Sequence, residues 1–207
     1  MLDAVVFDIG KVLFAYDPVG IIRALLPETR HEDFFLEHLF FSPMWQDLDR
    51  GDCSEEEALE QLRKKTDDPD IQAGLACLLD RFVEHLIPIP GSVQLFSELA
   101  DRYPLYLLTN FQDKPFEKLW QLHPFLHRSQ GAVVSARVRQ MKPSEEIYRQ
   151  LFTRFNLNPS QSVFIDDLPE NIAAAKSLGM KGIVFETPEQ VACDLKDLGI
   201  RTSLCPI

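Results

Sequence analysis

The stretch Val163-Phe164-Ile165-Asp166-Asp167-Leu168-Pro169-Glu170-Asn171 runs from a continuous apolar segment straight into two adjacent carboxylates and then a proline. A short uninterrupted apolar run reads as a parallel strand buried on both faces, because a strand with one face in water alternates. Pro169 then suits the first turn of a helix, where its missing N–H costs nothing. Ala173-Ala174-Ala175 lets that helix pack closely beneath the strand end, and Gly179 stops it. Neighbouring carboxylates at the end of a buried strand repel each other and cost stability unless a cation lies between or beside them. The stretch therefore speaks for both a fold and a site.

Working outward, residues 4–7, 105–108 and 182–185 are apolar runs of the same kind, and residues 132–135 form a weaker one. Helix-like stretches over 113–122, 144–155 and 169–178 alternate with these runs. Strand alternating with helix implies an α/β fold, a doubly wound parallel sheet, whose ligands bind at the C-terminal ends of the strands. One interval breaks the rhythm: about a hundred residues separate the first two strands, whereas a strand-helix-strand unit needs only about thirty. The excess reads as an insertion.

Apolar residues recur at helical spacing over 19–26, 31–41, 55–65 and 71–86, and Ser54 with Glu57 makes a capping-box signature before the third of these. Pro88-Ile89-Pro90-Gly91 stops the last helix and stiffens a hinge. Residues 15–88 are thus expected to form a small helical cap, with 1–14 and 89–207 as the core. No repeat or low-complexity segment interrupts this plan.

The chain has 207 residues, 45% of them hydrophobic and 26% charged, which is ordinary globular composition. A net charge of -11 repels nucleic acid and anionic membranes at long range. A small anionic substrate is still compatible, since a divalent cation and a lysine reverse the field locally. Cys53, Cys77, Cys193 and Cys205 show no metal-ligand spacing and read as buried or idle thiols. With neither a leader-like start nor an apolar run of about 20 residues, a soluble, reducing, cytoplasmic setting is expected.

The polar residues at the strand ends carry the chemistry. Asp8 follows Val5-Val6-Phe7, where a carboxylate can serve as nucleophile, metal ligand or mere turn former. Thr109-Asn110 offers a hydroxyl, a side-chain amide and backbone N–H groups to phosphate oxygens, and equally well could only cap the next helix. Lys142 precedes Pro143 at another helix start, a defined place for what is ordinarily a solvated charge. Asn171 can hold Lys142 or an aspartate in place.

Together, residues 7–13, 107–110, 141–143 and 164–171 resemble the four ordered motifs of the haloacid dehalogenase superfamily, and the insertion resembles its helical C1 cap. The glycine at position 10 and the paired aspartates are similar to the branch of bacterial alpha-D-glucose-1-phosphate phosphatase, with the N-terminal phosphatase domain of soluble epoxide hydrolases as a further relative. The resemblance implies a phosphatase for a small phosphorylated metabolite, such as a sugar phosphate. In it Asp8 attacks phosphorus to form an aspartyl-phosphate, and Mg2+ is held by Asp8, the Gly10 carbonyl and Asp167, with Asp166 assisting. Thr109 and the Asn110 backbone bind the phosphoryl oxygens, and Lys142 offsets their charge.

One departure stands out: most phosphatases of the superfamily carry a second aspartate two positions after the nucleophile as general acid and base, and here that position is Gly10. Lys11 and Asp17 are nearby substitutes by sequence, although a solvated role suits either. The rival readings are a metal-free dehalogenase, which the paired aspartates oppose, a catalytically weak protein binding a phosphorylated ligand or a partner, and a phosphomutase. Specificity is expected from the cap, where Phe41, Met44, Trp45 and Gln46 either face the site or pack its core.

Overall fold

The computed structural model describes residues 2–205. Seven strands, β1 (Ala4–Phe7), β2 (Phe14–Ala15), β3 (Ile87–Pro88), β4 (Leu105–Thr109), β5 (Gly131–Val134), β6 (Ser162–Asp166) and β7 (Lys181–Val184), form two sheets. The larger is parallel with the order β5-β4-β1-β6-β7, and β2 pairs antiparallel with β3. The α/β class read from the sequence is the one observed. β1, β4 and β6 are buried along their whole length, which is why their sequences do not alternate. The chain winds from β1 out to β5, then crosses back to β6 on the other side of β1, so the direction of winding reverses at β1. Phe7 stands level with Leu107 and Ile165. Asp8, Thr109 and Asp166 therefore leave the sheet at one end, at the switch point where such sheets bind ligands.

The hydrogen-bonded strands run one polar residue beyond the apolar segments at Thr109 and Asp166, because the ladder continues where hydrophobicity stops. Helices α1 (Pro18–Leu25), α2 (Glu32–Phe35), α3 (Pro43–Arg50), α4 (Glu55–Arg63) and α5 (Pro69–Arg81) lie between β2 and β3. A π-helical turn at Leu36–Phe40 and a 3-10 turn at Phe82–His85 break two stretches read as continuous helices. The capping box is present: Glu57 N–H donates to the Ser54 hydroxyl, and Ser54 N–H to the Glu57 carboxylate.

The periodicity did not reveal α3, whose residues are mostly polar or aromatic. Its punctuation was legible: Ser42 at the N-cap, Pro43 in the first turn and Gly51 at the C-cap in the left-handed region, with φ 77. Pro90, read as a stop and hinge, in fact opens α6 (Pro90–Ala100). Beyond it α7 (Asp113–Leu122), α8 (Ser135–Val138), α9 (Glu145–Phe155), α10 (Pro169–Ser177) and α11 (Pro188–Asp197) alternate with the strands.

The reading of all four cysteines as idle thiols needs correction, because Cys193 and Cys205 form a disulfide, with Cα atoms 5.1 Å apart. The chain turns back at Gly199, where φ is 90, and returns the terminal segment to α11, a closure no cysteine spacing announces. The bridge is at odds with the reducing setting inferred from the sequence. Cys53 and Cys77 remain free.

The end of α3 is seated on the core by backbone contact. The Ser135 hydroxyl donates to the Asp49 carbonyl and accepts from the Phe111 N–H at 2.8 Å. A Cβ at Gly51 would lie 2.4 Å from the Ala136 carbonyl oxygen. Gly51→Ala should therefore destabilise the protein by about 2–4 kcal/mol, combining a left-handed backbone penalty with overpacking, as a shift in urea midpoint would record.

Candidate active site

Asp8 directly follows β1, and its N–H donates to the Ile165 carbonyl at 2.9 Å, which ties it to β6. Asp166 ends β6, fully buried, and its carboxylate is saturated: Oδ1 accepts from Leu168 N–H (2.8 Å) and Asn171 Nδ2 (2.9 Å), and Oδ2 from Lys142 Nζ (2.7 Å). Lys142 Nζ also stands 2.8 Å from Asp8 Oδ1, an ion pair without hydrogen-bond directionality. The lysine side chain is only 2% exposed, so the family of solvated lysines is not where it belongs.

Its backbone is clamped from the β4 side. Lys142 N–H donates to Asn110 Oδ1 at 2.8 Å, and Asn110 Nδ2 donates to the Lys142 carbonyl at 3.0 Å. This corrects one expectation: the Asn110 side-chain amide is committed to the lysine's backbone and is not free to take phosphate oxygens, whereas the Asn110 main chain still lies at the strand end. Asn171 holds an aspartate, not the lysine, and its carbonyl accepts from the buried Tyr148 hydroxyl at 2.8 Å. Tyr148 is a support that sequence reasoning missed, since an aromatic at helical spacing in α9 signals only core.

Ligand atoms of Asp8, Asp166 and Asp167 all lie within 4.8 Å of one another. Lys11 Nζ approaches Asp167 at 3.9 Å but is largely exposed. Asp17, the N-cap residue of α1, is not one of this cluster, and a Cβ on Gly20 would meet its carboxylate. Thr109 is buried, and a Cβ built on Gly10 meets no heavy atom within 4 Å, leaving open space at the position of the missing aspartate. Trp45 packs on Phe40 and Phe82 with centroids 4.9 Å away, while Phe41 is 68% exposed.

Burial pushes the Asp8 carboxyl up to about 6; Lys142 works against this and Asp166 adds to it. Burial and then Asp166 likewise raise Asp167, against Lys11 and Lys142. Burial disfavours the Lys142 ammonium, yet Asp8 and Asp166 more than offset it and hold its pKa above the ordinary value. Three carboxylates thus share one buried ammonium. Their donor chemistry fits a hard divalent cation with oxygen ligands.

Residues 48–185 match the family model described as haloacid dehalogenase-like hydrolase. The chain belongs to that family. It is similar to the sesquiterpene phosphatase astK of Aspergillus oryzae, 24% identical over 196 residues, covering 94% of this chain and 95% of that one. It is also similar to D-ribitol-5-phosphate phosphatase of Bacteroides thetaiotaomicron, 26% identical over 87% of this chain and 90% of that one. Among solved structures, a haloacid dehalogenase family enzyme of Bacteroides thetaiotaomicron, in complex with magnesium and inorganic phosphate, superposes with a TM-score of 0.71. That similarity holds at 17% identity over 90% of this chain and 95% of that one.

Removing the ammonium leaves two buried carboxylates unpaired. Lys142→Met should cost about 3–5 kcal/mol in urea unfolding at pH 7. The loss should shrink as the pH falls towards about 6, because Asp8 without the ammonium takes up its proton at higher pH than in the wild type, and should level off below that value, where Asp8 is protonated in both.

Proposed function

We propose that this chain is a Mg2+-dependent phosphatase that hydrolyses a small phosphorylated metabolite through an aspartyl-phosphate on Asp8. The observation that carries the reading is a buried carboxylate at the β1 end, ion-paired to an inaccessible lysine and lying beside two further carboxylates. A binding module has no need of such a nucleophile, and a metal-free dehalogenase has no use for Asp167 beside Asp166. The names of the similar phosphatases support the same class, and the magnesium and phosphate in the solved neighbour support the ion.

Asp8, the Gly10 carbonyl and Asp167 would hold Mg2+, with Asp166 assisting by position, since both its oxygens are engaged by protein donors. When bound, the ion screens the repulsion between an anionic nucleophile and an anionic phosphoryl group. Lys142 fixes the Asp8 carboxylate and offsets charge on the phosphoryl oxygens. Thr109 and the Asn110 backbone supply donors to those oxygens from the end of β4. Asp166, anchored by Asn171 and Leu168, keeps the lysine in place. Residues 15–88 act as the cap and 1–14 with 89–207 as the core, and the cap restricts water and selects the alcohol. No helix among the described residues is long and apolar enough to cross a membrane.

Asp8→Asn cannot form the acyl-phosphate, so Mg2+-dependent phosphate release from p-nitrophenyl phosphate should fall by at least about 10⁴-fold with the fold retained. Residual turnover near wild type would remove Asp8 as nucleophile. Proton and metal compete for Asp8, which titrates at about 6 without the ion. The Mg2+ dissociation constant measured by calorimetry should therefore rise roughly tenfold per unit as pH drops below that value, and stay level well above it.

A further inference from the structure

Helix α3 brings a carboxyl to the site that its sequence motifs do not contain. Trp45 and Asp49 are four residues apart and share one face of the helix. Trp45 fixes that face inward, against Phe82 at 4.9 Å and Tyr16 at 6.4 Å between ring centroids. The Ser135 hydroxyl holds the Asp49 carbonyl against the loop that follows Thr109 and Asn110. Asp49 is thereby set at the seam between the inserted helices and the β4 end of the sheet, partly open to solvent yet enclosed by protein.

The groups around it are polar and incompletely paired. Gln112 is 2% exposed, and its amide, set against the Asp49 carboxyl, makes no well-directed hydrogen bond. The buried Tyr16 hydroxyl has none either. Leaving such atoms unpaired costs about 1–3 kcal/mol each, so the seam is built for a polar ligand. Asp8 and Tyr16 are the titratable groups acting on Asp49 from the neighbouring elements. Arg50 beside it on α3 turns to Asp47 and Asp52 at 3.5 and 3.2 Å. Among the described residues no cation pairs with Asp49, and burial, against the Gln112 amide and reinforced by Asp8, holds its carboxyl well above the ordinary range.

We propose that Asp49 is the general acid and base of this enzyme, supplied by α3 in place of the carboxyl that Gly10 lacks. The proposal rests on the phosphatase reading above. In the first step an Asp8 oxygen bonds to phosphorus as the bond to the leaving oxygen breaks. The electron pair goes to that oxygen, which takes the Asp49 proton, giving the free alcohol and an Asp49 carboxylate. In the second, water gives a proton to Asp49 as its oxygen bonds to phosphorus, and the pair in the Asp8–phosphorus bond returns to Asp8. The open space over Gly10 leaves room for the alcohol and then for the water.

The test compares p-nitrophenyl phosphate with phenyl phosphate, two esters of similar shape whose leaving groups need a proton to different degrees, at saturating Mg2+. In Asp49→Asn, kcat/KM for phenyl phosphate should fall about 10²- to 10⁴-fold, and for p-nitrophenyl phosphate less than about tenfold. The variant should release nitrophenol in a burst and retain acid-stable phosphate on the protein, because the second step loses its base. Asp49→Glu should keep the wild-type ratio, and Asp49→Ser serves if the amide variant does not fold. Equal losses on both esters, or no loss on either, in a folded variant would overturn the assignment. Wild-type protein inert toward both esters would instead defeat the phosphatase reading and this proposal with it.

Discussion

The ammonium of Lys142, held between Asp8 and Asp166, is the interaction on which the site depends. Three strand ends carry acidic or polar groups to one point, and without a buried cation that convergence would not survive folding. The pairing is supported on every side. Asn110 fixes the lysine's main chain from β4, Asn171 and Leu168 saturate the far oxygen of Asp166, and Tyr148 ties down the turn that carries Asn171. Asn110 acts from the β4–α7 junction, Leu168 and Asn171 from the β6–α10 junction and Tyr148 from within α9, so fold and site are one construction.

Even so, one ammonium does not neutralise three carboxylates. The raised Asp8 and Asp167 record the imbalance, and their common cause is burial, with Asp166 as the shared repulsive neighbour. A site stable by itself would have used hydrophobic residues here. This one keeps a charge deficit that a divalent cation reduces, and the net charge of -11 over the chain is no obstacle once the local field has changed sign.

Burial and backbone hydrogen bonding explain what was readable in the sequence. The parallel strands were legible because a strand covered on both faces must be continuously apolar, and Asp8, Thr109 and Asp166 were legible as polar residues placed where such runs end. Lys142 was legible only by its company, since nothing in Met141-Lys142-Pro143 tells that the ammonium is buried. The commitment of the Asn110 amide was not, because a side chain that spans to residue 142 leaves no local trace. Helix α3 escaped for another reason: its inward face is built from Trp45, Leu48 and Asp49, too few apolar residues to show a period, although Ser42, Pro43 and Gly51 marked both ends. The pairing of Cys193 with Cys205 depends on a reversal at Gly199 that spacing does not encode.

Gly10 shows why the missed helix matters most. A side chain there would clash with nothing, so glycine is not required at this position by packing, and its φ does not lie in the left-handed region. The usual structural reasons for a glycine are absent. What the space does permit is approach of a group from across the seam, and the seam is held by the Gly51 contact on Ala136 and by Ser135 bonding to both Phe111 and Asp49. A carboxyl two residues after the nucleophile would move with the sheet, whereas one on α3 is positioned by contact between the inserted helices and the core. Proton transfer then depends on how those helices sit over the bound alcohol, which ties the acid to the same surface that selects the substrate.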